Sequence, residues 1–70
     1  MTRPAVTEQT FGNSWQWAVK LTGTDYAAVR ARADEIRAET KDAMTAYMSA
    51  TRDDGQREII MEFQPKEIDA

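Results

Sequence analysis

The chain has 70 residues, 41% hydrophobic and 30% charged, with a formal net charge of −3. That length and balance describe one small globular domain rather than a disordered segment. The lack of cysteine and histidine excludes disulfides and ordinary zinc or copper sites, and removes the base of a Ser–His–Asp triad.

The charge is unevenly placed. Residues 1–52 hold seven basic and six acidic side chains (+1), whereas residues 53–70 hold two basic and six acidic (−4). Direct nucleic-acid binding is not expected, because phosphate contacts need clustered Lys and Arg. No run approaches the roughly 18 apolar residues that cross a bilayer, and Met1-Thr2-Arg3-Pro4 does not open a signal peptide. A cytoplasmic protein without membrane contact is expected. A core of about a dozen apolar side chains stabilises so short a chain only modestly, so a homo-oligomer is expected as the remaining support.

Residues 1–13 mix Pro4, Gly12 and Asn13 with few apolar groups and read as a flexible N-terminal arm. A strand over Ala5–Thr10, folded back across Gly12-Asn13, would set Glu8 against Trp17. A single domain is expected over residues 14–64. From Ser14, Trp15, Trp17, Val19 and Leu21 alternate with polar or small residues, the period of a half-buried strand. Two tryptophans on one strand face could form a stacking platform, but core packing is the commoner use of that spacing.

Gly23 breaks the strand, Thr24 offers a capping hydroxyl and Asp25 complements a helix start. Tyr26, Val29, Ala33, Ile36 and Thr40 then recur at helical spacing over an arc of about 80°. Ala27, Ala31 and Ala38 cluster on the far side, as plain helix formers or as a flat patch for a partner helix. Lys41–Thr51 could extend this helix, since Ala43, Met44, Tyr47 and Met48 also fit its stripe. The strand reading is preferred because it gives the sheet a third strand.

Met44–Phe63 reads as a hairpin about Asp54-Gly55. A two-residue type I′ turn there pairs Ala50 with Ile59, Met48 with Met61 and Ala46 with Phe63 beneath the helix. It sends Thr51, Ser49, Tyr47, Glu58, Ile60 and Glu62 to the opposite, open face. A three-residue loop, which would set Met48 on Ile60 and Ala46 on Glu62, is rejected by this pattern. The expected fold is α+β: β-α-β-β, a three-stranded antiparallel sheet of order 1-3-2 with one helix packed on one face. Residues 65–70 follow as an acidic C-terminal tail.

Lys20, Glu58 and Glu62 would share the open face, where water keeps them an ordinary ion pair rather than an acid–base set. With no catalytic, cofactor or metal constellation, the chain is expected not to be an enzyme. The expected role is a non-catalytic protein–protein interaction module, a small acidic inhibitor or adaptor. Tyr47, Ser49, Ile60, Glu62, Asp53, Asp54 and Glu58 are the expected partner-binding residues. One version is a mobile-element-type antagonist of a nucleic-acid enzyme, with Asp53, Asp54, Glu58, Glu62, Glu67 and Asp69 presenting charge to a protein with a basic surface.

Leu21-Thr22-Gly23-Thr24-Asp25 leading into a helix, followed by a hairpin, resembles the layout of the dodecin flavoproteins. The resemblance implies a strand–helix–strand–strand fold, assembly into hollow shells and flavin binding. In that family a tryptophan early in the second strand stacks on the flavin. Here that region reads Met44-Thr45-Ala46-Tyr47, with both tryptophans in the first strand instead. The alternative function is therefore an oligomeric small-ligand carrier with Trp15 and Tyr47 as aromatic walls.

Overall fold

A computed structural model describes residues 5–65. The elements are β1 (Val6–Gly12), β2 (Trp17–Gly23), α1 (Tyr26–Glu39), β3 (Ala43–Thr51) and β4 (Arg57–Gln64). The strands form one antiparallel sheet in the order β1-β2-β4-β3. The expectation of three strands in the order 1-3-2 is thus overturned by a fourth strand. That strand lies within the residues expected to be an arm. The expected tail residues 66–70 lie outside the described residues.

The fourth strand forms because the chain turns later than Gly12-Asn13. The Asn13 side-chain oxygen accepts the N–H groups of Trp15 (2.9 Å) and Gln16 (3.1 Å), and the Asn13 N–H donates to the Gln16 carbonyl at 2.9 Å. This local competition for backbone donors fixes a turn at Ser14-Trp15. Glu8 consequently falls opposite Leu21 rather than Trp17. It is held there by Arg32 of the helix, Nε to Oε1 at 2.7 Å. The same turn keeps Trp15 outside the strand and 77% exposed, so the two tryptophans share no platform.

Asp25, rather than Thr24, caps α1: its Oδ1 accepts the Ala27 N–H at 3.0 Å. Val29, Ala33 and Ile36 from the helical stripe pack on Val19, Leu21, Ile59, Met61 and Phe63 of the two central strands. Val6, Trp17, Tyr26 and Tyr47 close the rim of this core. The helix covers β2 and β4 and reaches β1. The opposite sheet face carries no layer, which explains the slab shape, 46 × 27 × 15 Å.

The β3–β4 connection departs from the expected type I′ turn. Gly55 donates its N–H to the Arg52 carbonyl at 2.9 Å and Arg52 donates to the Gln56 carbonyl at 2.7 Å. Gly55 has φ +86°, and no non-glycine residue among those described has positive φ. A type I′ turn would have needed the left-handed region at Asp54 as well as at Gly55. The three-residue loop Asp53-Asp54-Gly55 needs only the glycine there. Its register sets Met48 opposite Ile60, Ala46 opposite Glu62 and Tyr47 opposite Met61. The rejected slip is the one adopted. It is tolerated because Ala46 and Glu62 meet on the uncovered face, while the larger Tyr47 ring takes the place expected for Met48 under the helix. A bulge between Met44 and Ala46 then shifts the register again, so that Met44 faces Phe63.

Two glycines allow a graded prediction. Gly55→Ala meets open space but keeps the left-handed backbone, and should cost about 1–2 kcal/mol in urea unfolding. At Gly12 (φ +104°) an added Cβ would also stand 2.3 Å from the Gln16 carbonyl oxygen. Gly12→Ala should therefore lower the urea midpoint more than Gly55→Ala; equal effects would show that backbone crowding does not constrain the β1–β2 turn.

Candidate functional site

The one-residue change in register divides the expected partner-binding residues between two faces. Tyr47 and Ser49 lie on the helix side, not on the open face. The Tyr47 ring packs against the core with the Arg37 guanidinium 5.9 Å from its centroid. Arg30, the larger influence, and Ser49 stand near the Tyr26 phenol and draw its pKa below the ordinary 10.0. Ile60, Glu62 and Glu58 stay on the open face, and Asp53 and Asp54 stand at the hairpin tip.

The strand register orders the open face into three rows. Phe11, Ala18, Glu62 and Ala46 form the first; Gln9, Lys20, Ile60 and Met48 the second; Thr7, Thr22, Glu58 and Ala50 the third. The charges Lys20, Glu58 and Glu62 all lie on the two inner strands, whereas the outer strands carry Phe11 beside Gln9 and Thr7 on one edge and Met48 beside Ala46 and Ala50 on the other. Phe11 on β1 is 52% exposed and Met48 on β3 is 51% exposed. Ile60 is half-buried between Lys20 and Met48. Sequence reasoning missed Phe11 and Met48. The first was hidden by reading residues 1–13 as an arm, and the second by the assumed turn.

The acidic residues are less available than their number suggests. Lys20 Nζ lies 3.3 Å and Arg52 Nη1 3.7 Å from the same Glu58 oxygen. Asp54 Oδ1 accepts the Gln56 N–H at 3.0 Å, closing its own loop. Gln16 donates to Glu62 Oε1 at 3.4 Å. Glu67 and Asp69 of the expected acidic display lie outside the described residues. Asp53, Asp54 and Glu58 do meet, with Ala50, Thr51 and Arg52, around an open hollow of about 460 Å³ at the hairpin tip. Arg52 stands inside that group, so the tip is mixed in charge rather than uniformly acidic.

The aromatic groups Trp17, Phe63 and Tyr47 are committed to the core and its rim. Trp17 stacks on Phe63 with ring centroids 4.4 Å apart, and its Nε1 donates to Asp42 Oδ2 at 2.6 Å. The proposed walls, Trp15 and Tyr47, occupy a turn and the helix-covered face respectively. Across the molecule, Val6, Ala27, Ala28 and Ala31 floor a groove of about 510 Å³ between β1 and the helix, rimmed by Glu8, Asp25, Arg32 and Glu35. Glu8 and then Glu35 hydrogen-bond the Arg32 guanidinium and raise its pKa, so this rim is locked by ion pairs.

Among the described residues no three His, Cys, Asp or Glu side chains approach closely enough to hold a metal ion, and no helix is long and apolar enough to cross a membrane. No protein-family model, curated protein or solved structure matches the chain.

The Tyr47 hydroxyl is buried and has no hydrogen-bond partner among the described residues. A buried hydroxyl without a partner has lost its water at a cost that nothing returns. Tyr47→Phe should leave stability unchanged or raise it by up to about 1 kcal/mol in urea unfolding. A loss larger than that would show that the hydroxyl is bonded.

Proposed function

We propose that this chain is a cytoplasmic, non-catalytic protein-binding module of the inhibitor or adaptor kind, which engages its partner through the open sheet face. The observation that carries this reading is the pattern on that face. Phe11 and Met48, each more than half exposed, flank a central strip of Lys20, Glu58, Glu62 and Ile60. Aromatic and methionine side chains are enriched at protein interfaces, and these two are presented on an uncovered sheet face.

The partner contact is then mainly one of shape and apolar burial. Glu58 is already shared by Lys20 and Arg52, so neutralising it removes little from a partner. Glu62 within the face and Asp53 at the hairpin tip add complementarity to a basic surface, and charge of this kind affects association rate more than affinity. The acidic antagonist version therefore draws its support from the apolar flanks rather than from a six-carboxylate display.

The test is capture from extracts of the native host on immobilised protein, comparing wild type with Met48→Lys and Ile60→Asp. Met48 is exposed, so its replacement keeps the fold even where Ile60→Asp weakens it. Both should reduce the captured partner at least about tenfold, the cost of losing one well-packed apolar contact. The reduction should persist at high salt, since apolar contacts are not screened. Undiminished capture by Met48→Lys would end the proposal.

A further inference from the structure

Among the described residues β3 is an edge strand with nothing bonded along its outer side. Which backbone groups it offers follows from the turn. Arg52 donates to Gln56, so that pair is a hydrogen-bonded one, and bonded pairs alternate along an antiparallel ladder. Ala50, Met48 and Ala46 therefore direct their N–H and C=O groups into β4. Those of Tyr47, Ser49 and Thr51 point away from the sheet.

The two edges of the sheet are treated differently. At the β1 edge Glu8 is clamped by Arg32 from the overlying helix. Charge and cover of this kind are the usual protection against strand addition. β3, nine residues long, carries no charged residue, proline or glycine, and the helix packs chiefly on β2 and β4. Its one irregularity is the bulge between Met44 and Ala46, which leaves Ala46–Thr51 straight.

We propose that β3 pairs antiparallel with β3 of a second copy, about a two-fold axis at Ser49, to give a continuous eight-stranded sheet. The occupant is a second copy because the strand is matched to itself. Its outward groups are centred on Ser49, so Ser49 meets Ser49 and Tyr47 meets Thr51 in both directions, each through paired backbone bonds. Tyr–Thr is a favourable cross-strand pair, and on the open face Met48 falls beside Ala50 of the second copy. Arg52 falls opposite Ala46, so no like charges meet. Arg30 and Arg37, the helix cations on this side, are each paired with Asp34 at 3.6 and 3.9 Å. A strongly charged partner would find no countercharge in this strand. The seam is distinct from the centre of the open face, so it stands whether or not that face binds a partner.

The test is solution mass by light scattering over a concentration series, with three samples beside wild type: Ser49→Lys, Ser49→Glu and their equimolar mixture. Ser49 is exposed, and circular dichroism confirms that each variant is folded. Wild type should have twice the mass of one chain. Each variant alone sets like charges together at the axis and should raise the dissociation constant about fivefold or more. The mixture should restore the doubled mass, because Lys and Glu then meet across the seam. A single-chain mass for wild type at every concentration overturns the proposal. So does a doubled mass that both variants retain. Dissociation of both variants without recovery in the mixture overturns the two-fold register at Ser49.

Discussion

Every assignment of a side chain to a face in β3 depends on how the chain closes between Arg52 and Gln56. A strand's side chains alternate with a period of two, so one residue more or less in the loop exchanges its two faces. Here Gly55 alone takes the left-handed backbone, and the loop has three residues. Tyr47 and Ser49 are thereby turned toward the helix, and Ala46, Met48 and Ala50 toward solvent. The composition of the open face and the backbone groups offered by the β3 edge are both consequences of that closure.

The helix supplies the second constraint. It presents three buried side chains, Val29, Ala33 and Ile36, and these suffice to cover two strands. One helix on a four-stranded sheet leaves an entire face and one edge without cover. The molecule answers this differently in different places. Ion pairs occupy the centre of the open face and the β1 edge, where Lys20, Glu58, Arg32 and Glu8 are partnered. Phe11, Met48 and the outer side of β3 have no such treatment. Association is the physical remedy for surface of that kind, since burial returns the free energy that exposure costs.

Much of the local structure was legible in the residues. Period-two alternation marked the strand through Val19 and Leu21, and the 3.6-residue recurrence of Val29, Ala33 and Ile36 marked the buried side of the helix. Both patterns are strong because a large part of each element is core. β1 was missed because only Val6 of its seven residues is half-buried, so it carries almost no hydrophobic period. Its stability comes from a ladder to β2 and from the Glu8–Arg32 pair, neither of which leaves a local signature. The candidate site was half legible. Ile60, Glu58 and Glu62 were placed on the open face, whereas Tyr47 and Ser49 were assigned through the wrong turn.

The sequence by itself determined that a strand runs through Val19 and Leu21, that a helix follows Gly23, and that a last strand starts at Arg57; for β3 it only favoured strand over more helix. Glycine, capping residues and hydrophobic period act over a few neighbours, so these features need no distant partner. Tertiary structure alone decided the fourth strand, the strand order and which face each β3 residue occupies. Those depend on contacts between residues far apart in the chain. A register that is nearly as good by apolar pairing can then be chosen by the backbone preference of a single loop residue.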